Sequence, residues 1–245
     1  MKFNFASRNE KGLVRKENQD SVLCMEKSGV FAVADGMGGG SGGALASQIV
    51  CEELGRCGSP ADFKAKVSDI GHAVDVANSR IFAYAKEHGF RQMGSTVAML
   101  AVDGTKCARG AVGHVGDSRV YRVRGKAAEL MTRDHSVGAE LAASAGAAAA
   151  SKLFARSNPL AHILTRAIGT RSEVQVEWRE IDIADGDRFV VCSDGVHDVI
   201  ETDELAAIVA NCEIGNAADR LERIIVARGA PDNYSFVIVE TGNAR

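Results

Sequence analysis

Two apolar runs that lie far apart in the chain end in the same dipeptide. Residues 30–34 lead into Asp35-Gly36, and residues 188–193 lead into Asp194-Gly195. Runs rich in valine, alanine and phenylalanine predict buried strands, and a glycine lets the chain turn and lets other groups approach the backbone closely. Each run therefore holds a carboxylate at the rim of a sheet. Because Asp-Gly is also an ordinary turn dipeptide, the pair indicates a cation site only together with further carboxylates.

Size and composition predict an ordinary globular protein. A chain of 245 residues fits one large domain, so we expect residues 1–245 to form a single domain. The net charge of −3 provides no general attraction to nucleic acid or anionic membranes, and no apolar run is long enough to cross a bilayer. We therefore expect a monomer without nucleic-acid or membrane partners.

Cysteine usage bears on the compartment. The six cysteines form no CxxC pair, and Cys107 and Cys192 lie in strand-like apolar runs, where cysteine is usually a small core residue. This usage favours a reducing environment over a disulfide framework. The first residues also lack the apolar core of a signal peptide. We therefore expect a cytoplasmic protein.

Hydrophobic patterning predicts an α+β fold. Strands are predicted at residues 30–34, 96–102, 107–115, 119–124, 174–183, 188–193 and 235–240, and helices at residues 44–54, 61–88, 203–211 and 217–228. Short turns between neighbouring strands imply antiparallel pairing, and each amphipathic helix needs a sheet face to cover. We expect a four-layer α-β-β-α sandwich of two antiparallel sheets flanked by helices. The alanine-rich residues 139–155 are predicted to form a mobile helical flap, within a flap segment of about 137–163.

Three more aspartates stand in turn-like positions at the predicted strand ends. They are Asp20, Asp117 and Asp232. Taken singly, each is typical of a helix cap or an Asx turn. Together with Asp35 and Asp194 they form a set of oxygen ligands without a histidine or cysteine cluster, which favours Mg²⁺ or Mn²⁺ over Zn²⁺.

A series of short motifs, taken together and in chain order, resembles the pattern of one known protein family. In chain order they are Arg15 with Asn18-Gln19-Asp20, Asp35-Gly36-Met37-Gly38-Gly39, Gly94-Ser95-Thr96, Gly116-Asp117-Ser118-Arg119, Thr132-Arg133-Asp134-His135-Ser136, Leu164-Thr165-Arg166-Ala167-Ile168-Gly169, Ser193-Asp194-Gly195 and Asp232-Asn233. Each motif alone is weak, but the ordered set spans nearly the whole chain. It resembles the metal-dependent protein phosphatases of the PPM family (type 2C) in their compact bacterial form. The fold of that family agrees with the sandwich predicted above.

The resemblance implies a role for each matching residue. Asp35 would bridge two metal ions, Asp20 would bind through its carboxylate or a coordinated water, and the Gly36 carbonyl would complete one shell. Asp194 and Asp232 would hold the other ion. The remaining roles are a weaker third ion at Asp117, assisted by Asp198, and a grip on the substrate phosphate by Arg15. Arg15 and Asp35 are thus the predicted catalytic residues.

The implied chemistry suits a phosphate monoester, whose uncatalysed hydrolysis is among the slowest reactions known. Two metals about 3.5–4 Å apart can share one water, lower its pKa and aim it in line at phosphorus. Arginine adds a planar fork that matches two phosphate oxygens. No cysteine lies in a CxxxxxR loop, and the glycines after Asp35 lack the Gly-Lys-Ser/Thr of a P-loop, so those two phosphate chemistries are excluded.

Several positions depart from the family pattern or stay open. Some relatives carry a histidine after the Asp-Gly that can serve as general acid, whereas this chain has Met37. We therefore expect water at the metal site to protonate the leaving group. Gln19 replaces a common acidic residue. His135 is expected to have a structural hydrogen-bonding role, and His197 either tunes the third-metal site or is an exposed residue at a helix start.

We therefore expect a Mg²⁺- or Mn²⁺-dependent phosphatase of phosphoserine and phosphothreonine in proteins, with a Ser/Thr kinase and its targets as partners. The partner assignment rests on analogy with the family. One alternative is a catalytically weak regulator that binds phosphoproteins, which the complete set of core aspartates disfavours. A second is a phosphatase of a small phosphorylated metabolite. A third, a phosphatase of stress switches, usually carries added sensor domains.

Overall fold

The computed structural model describes residues 3–38, 41–60, 62–103, 109–144 and 162–242. Two antiparallel sheets pack face to face, and helices cover the outer face of each. The predicted four-layer α+β sandwich is therefore confirmed. Within the described ranges, the helices are all too short or too polar to cross a membrane.

The first sheet, called the β10 sheet, has the strand order β1-β11-β10-β7-β8. Its strands are β1 (Asn4–Glu10), β7 (Arg119–Arg124), β8 (Ala127–Leu130), β10 (Arg188–Cys192) and β11 (Tyr234–Glu240). The second, called the β3 sheet, has the order β2-β3-β5-β6-β9, with the short β4 beside β3. Its strands are β2 (Asp20–Met25), β3 (Val30–Met37), β4 (Gly94–Ser95), β5 (Val97–Val102), β6 (Arg109–Val115) and β9 (Glu177–Asp182).

Two helix pairs form the outer layers. The described helices are α1 (Gly42–Gly55), α2 (Phe63–His88), α3 (Val137–Ser144), α4 (Asp194–His197), α5 (Thr202–Ala210) and α6 (Ile214–Ala227). The apolar faces of α1 and α2 pack on the β3 sheet, and those of α5 and α6 pack on the β10 sheet. The ends of α2 follow ordinary capping rules: Asp62 accepts a hydrogen bond from the Ala65 amide at 2.9 Å, and Gly89 ends the helix in the left-handed conformation.

The central strands are apolar on both faces, which explains why their sequences do not alternate. In β3, Phe31 and Val33 point into the layer between the sheets, whereas Val30 and Ala32 face the helices. The same division holds for β10 and β11. A strand buried on both sides reads as a continuous apolar run, so the run before each Asp-Gly marks the middle of its sheet.

The structure also departs from the predicted elements. β1, β4 and β8 were not predicted: β1 is an edge strand whose residues are partly or fully exposed, β4 has only two residues, and β8 has only four. The strand predicted at residues 174–183 is confined to Glu177–Asp182. Of the predicted flap, α3 lies at its start, and residues 145–161, with most of the alanine run, fall outside the described residues. Gly39, Gly40 and Cys107 fall outside them as well.

Candidate metal centre

Four of the predicted aspartates lie at one end of the sandwich because of strand direction. Asp35 lies near the end of β3, and antiparallel pairing places Asp20, the first residue of β2, directly opposite it. In the other sheet, Ser193 separates Asp194 from the end of β10, and Asn233 separates Asp232 from the start of its antiparallel partner β11. The four carboxylates therefore come from both sheets and converge at their common edge.

Asp117 joins this edge through the turn that crosses between the sheets. The turn connects the end of β6 in one sheet with the start of β7 in the other. Asp117 is buried, and its charge acts on both Asp35 and Asp194. All five predicted aspartates thus belong to one cluster.

A cleft of about 710 Å³ opens above the cluster. Its lining residues include Arg15, Asp35, Gly36, Asp117, Asp194 and Asp232. Asp20, which is 6% exposed, is not among them. It lies opposite Asp35 in the β2–β3 pair, and its charge acts on Asp35 and Asp194.

The carboxylates of the cluster hold their protons far more tightly than ordinary aspartates. Burial raises the pKa of Asp35 and of Asp194 well above the usual value, and repulsion from neighbouring aspartates raises both further. Burial likewise raises the pKa of Asp20 to about 6 and that of Asp117 to about 6. Four buried carboxyl groups that repel one another form a site of strong negative potential once they ionise.

This donor set fits a hard divalent cation. Asp20 Oδ2 accepts a hydrogen bond from Ser193 Oγ at 2.8 Å, but Asp20 Oδ1 is buried with no hydrogen-bond partner among the described residues. A buried carboxylate oxygen without a partner is costly, and a cation in the cluster would relieve both that cost and the repulsion. Oxygen ligands alone suit Mg²⁺ and Mn²⁺.

Arg15 lies at the cleft but is turned onto one of the predicted ligands. Its Nε donates to Asp232 Oδ1 at 2.7 Å, and its Nη2 donates to Asp232 Oδ2 at 2.5 Å. The Arg15 side chain is 57% exposed, so it has room to leave Asp232 and turn towards a ligand in the cleft. Arg15 therefore adjoins the cluster as predicted, while its contact with Asp232 was not anticipated.

In both Asp-Gly dipeptides, the glycine leaves room for the backbone of another segment of the chain. A Cβ on Gly36 would lie 2.0 Å from the Gly43 carbonyl oxygen, and one on Gly195 would lie 1.9 Å from the Asn233 carbonyl oxygen. Each glycine thus admits the backbone of another segment into close contact beside the aspartate. Each Asp-Gly dipeptide therefore lies where two segments of the chain cross, and its aspartate is one of the predicted ligands.

Three residues that support the cluster were quoted within motifs but were given no role. Ser193 is fully buried, and its hydroxyl links Asp20 of the β3 sheet to the amide of Ser235, at 3.0 Å, in the β10 sheet. Asn233 accepts a hydrogen bond from the Gln19 amide at 2.9 Å and donates to the Lys11 and Glu17 carbonyls. Thr96 Oγ1 accepts from the Asp35 amide at 3.1 Å. The sequence signal for Ser193 and Asn233 was their position beside an aspartate, whereas Thr96 has no aspartate next to it.

Asp198 lies at the side of the cluster, between two histidines. His197 Nδ1 is 3.3 Å and His162 Nδ1 is 3.5 Å from its carboxylate oxygens. Although burial opposes it, the hydrogen bond from His197 lowers the pKa of Asp198. His197 is itself buried and contacts the Asp117 carbonyl through Nε2 at 3.1 Å, so the exposed alternative for His197 is wrong. His162, which the sequence did not single out, lines the cleft.

A pair of histidines lies next to Glu177, apart from the set of five aspartates. Ligand atoms of His114, His135 and Glu177 lie within 4.8 Å of one another, and the two rings stack with centroids 4.5 Å apart. The Gly116 amide donates to His135 Nδ1 at 3.1 Å, so His135 Nε2 carries the proton and faces Glu177 at 3.2 Å. With its ring nitrogens engaged in this way, His135 has the structural role predicted for it.

Comparison with known proteins adds to the geometry. The sequence profile of a family described as protein phosphatase 2C matches residues 10–222. The chain is 30% identical over 237 residues to the serine/threonine protein phosphatase PstP of Mycobacterium tuberculosis, covering 96% of this chain and 44% of PstP. It is 28% identical over 235 residues to the protein phosphatase PhpP of Streptococcus pneumoniae, with 93% of each covered. The chain thus spans less than half the length of PstP.

Solved structures show the same fold. PppA, a key regulatory component of T6SS in Pseudomonas aeruginosa, superimposes with a TM-score of 0.87 at 30% identity, covering 98% of each chain. The catalytic domain of the serine/threonine protein phosphatase PstP in complex with two manganese ions gives a TM-score of 0.85 at 28% identity, covering 98% of this chain and 99% of that one.

Proposed function

The chain belongs to the protein phosphatase 2C family, and on that premise we propose that it is a metal-dependent phosphatase that hydrolyses phosphoserine and phosphothreonine in proteins. The observation that carries the proposal is the convergence of buried aspartates from both sheets beneath a cleft that also holds Arg15. A cluster of that charge without a cation has no stabilising purpose in the fold, because each member raises the pKa of its neighbours.

The proposed ligands divide between the two sheets. Asp35 would serve as a ligand to both ions, with Asp20 and the Gly36 carbonyl as further ligands on the β3 side. Asp194 and Asp232 would hold the other ion on the β10 side. Manganese is the preferred ion in this proposal, since the superimposed PstP domain is a complex with two manganese ions, and Mg²⁺ has the same preference for oxygen ligands.

The chain's own residues perform binding and orientation. When bound, the two ions activate a shared water and neutralise charge on the phosphate oxygens. Arg15 leaves Asp232 and holds two phosphate oxygens with its planar fork. Thr96, by accepting the Asp35 amide, fixes the backbone that aims the bridging carboxylate, and Ser193 holds Asp20 in place.

A weaker third ion belongs to the same proposal, at Asp117 with Asp198. His197 contacts both residues, through the Asp117 carbonyl and the Asp198 carboxylate. A change in the charge of this pair therefore reaches Asp194, on which both carboxylates act electrostatically.

The proposed substrates are phosphoproteins, and the proposed partners are a Ser/Thr kinase and its targets in the cytoplasm. The names of PstP and PhpP, both protein phosphatases, favour this class over a small phosphorylated metabolite. The test compares kcat/KM for a phosphothreonine peptide and for a sugar phosphate with manganese present. Preference for the sugar phosphate would overturn the substrate class. Binding of the peptide without turnover would instead identify a regulator.

A further inference from the structure

A second cleft of about 450 Å³ lies beside the metal centre. It runs between the end of α2 with the residues that follow it and residues 164–171. It shares Met37, Gln92 and Leu164 with the cleft above the aspartates. A peptide that places a phosphorylated side chain at the metal centre can therefore continue directly into this second cleft, which we call the basic cleft.

The charge of the basic cleft is entirely positive. Its lining includes Lys86, Arg91, Arg166 and Arg171, and it includes no aspartate or glutamate. Among the described residues, none of the four forms an ion pair, and Arg166 donates only to the Gln175 carbonyl, at 3.1 Å. By contrast, Arg8, Arg122, Arg188 and Arg228 are each paired with a carboxylate. Four cations around one concave surface with no internal counter-charge favour an anionic ligand.

Apolar side chains form the floor between the cations. Phe82, Phe90 and Met93 line the cleft, and Phe82 and Phe90 are only partly covered by the rest of the chain. An apolar floor under a charged rim suits a polypeptide, which presents both apolar and charged side chains, better than a free inorganic anion.

One wall of the basic cleft is fixed by buried hydrogen bonds. Asn78 of α2 is 2% exposed, and its Nδ2 donates to the Arg171 and Ser172 carbonyls at 3.1 Å each. Its Oδ1 accepts from the Gly169 amide at 2.6 Å. The cations of this wall are therefore carried by a preformed backbone, so little ordering free energy opposes binding.

The same wall is tied to the metal centre. Ile168 and Ser95 exchange backbone hydrogen bonds of 3.0 and 2.8 Å, and Ser95 Oγ donates to the Asp35 carbonyl at 3.0 Å. The position of the cleft relative to the bridging aspartate is thus set by direct contacts.

We propose that the basic cleft binds the stretch of a phosphoprotein substrate that flanks the phosphorylated residue, and that it selects stretches carrying anionic groups. The proposal rests on the proposed function and names its substrate class. The anionic groups are carboxylates or a second phosphate, since both match the lysine and arginine donors.

The test uses phosphothreonine peptides with one core sequence. One peptide has neutral flanks, two carry glutamates before or after the phosphothreonine, and a fourth carries a second phosphothreonine. We expect at least one anionic peptide to exceed the neutral one in kcat/KM by tenfold or more at low salt, mainly through KM, and the ratio to shrink with added salt. The Glu-flanked and doubly phosphorylated arms distinguish carboxylate from phosphate.

The variant Lys86→Glu with Arg171→Glu should reduce that ratio to about one, and turnover of the neutral peptide shows that this variant is folded. The matched control is Lys64→Glu with Lys126→Glu, which makes the same charge change at exposed positions away from the cleft and should preserve the ratio. Equal kcat/KM for all four peptides, or a preference that survives the Lys86/Arg171 change, would overturn the inference while leaving the proposed function intact. Failure to hydrolyse any of the four would instead count against the proposed function.

Discussion

Arg15 and Asp232 form a two-pronged ion pair across the mouth of the metal centre, with Nε and Nη2 each donating to a different carboxylate oxygen. The proposed function assigns phosphate binding to one partner and cation binding to the other. Binding of both ligands must therefore open this pair, and the ion pair competes with each of them. In this structure, Arg15, the proposed phosphate-binding residue, is thus held on Asp232.

Replacing Arg15 separates these two effects. Arg15→Ala should lower kcat/KM for a phosphothreonine peptide by about 10- to 100-fold, since a charge-assisted hydrogen bond is worth about 1.5–3 kcal/mol. Manganese affinity, measured by calorimetry, should not fall, because Asp232 loses a competitor. Arg15→Lys keeps the charge but not the fork and should recover only part of the loss. A weaker manganese affinity in Arg15→Ala would contradict this account.

Replacing Asp35 or Asp194 with asparagine should abolish activity but stabilise the metal-free protein. Asp35→Asn and Asp194→Asn should each abolish manganese-dependent turnover, because the cluster loses a charged ligand. Each should also raise the thermal midpoint of the metal-free protein at pH 7.5, because repulsion within the cluster falls. Thermal denaturation with EDTA and with manganese measures both effects. Turnover retained in both variants would refute the two-metal assignment.

Stability of the metal-free protein should fall as pH rises. The pKa of Asp20 and that of Asp117 are about 6 in the folded protein, above the usual aspartate value, so between pH 4 and 6 the folded state binds more protons than the unfolded state. The free energy of unfolding therefore decreases across that window. Manganese affinity should rise across it, since the ligands must be deprotonated. Denaturation in EDTA at several pH values should show a shallower slope for Asp20→Asn than for the unaltered protein.

The glycine after Asp194 should tolerate no side chain. Gly195→Ala places a Cβ 1.9 Å from the Asn233 carbonyl oxygen and should cost about 2–4 kcal/mol of unfolding free energy. Gly215→Ala is the matched control: it lies in α6 with open space around the added Cβ and should stabilise by about 0.5–1 kcal/mol. Urea denaturation compares the two, and equal stability of both variants would be inconsistent with the crossing described.

Position 37 tests the source of the leaving-group proton. Met37 lines the cleft above the aspartates and cannot donate a proton. Met37→His should therefore change the acidic side of the pH–rate profile for a phosphopeptide. Met37→Leu, similar in volume, should keep the original profile. An unchanged profile in Met37→His would mean that no side chain at this position can take part.

The sequence predicted the layers and the gathering of the aspartates better than the contacts among these elements. Residues 30–34, which precede Asp35, are apolar at every position. The local sequence therefore suffices to predict that this strand is buried on both faces. The partner of Gly195, the Asn233 carbonyl, is set by how two distant segments cross, which no local pattern encodes. β1 escaped prediction because pairing with β11, and not its own mixed residues, makes it a strand.

The basic cleft could not be predicted from the sequence either, because segments that are distant in the chain form it. Lys86 and Arg171 are ordinary cations in the sequence, and the hydrogen bonds of Asn78 help to bring their segments together. The stacking of His114 on His135 could likewise not be predicted from the sequence, because the two residues lie on different segments that come into contact in the folded protein.

The division of the ligands between the two sheets also has a consequence for synthesis. Asp20 and Asp35 leave the ribosome early, whereas Asp194 and Asp232 follow only after most of the described chain has been made. A nascent chain therefore carries half a binding site, too poor in ligands to retain an ion, until β10 and β11 have paired. Under the proposed function, tight manganese binding would therefore begin only once both sheets have formed and β10 has paired with β11.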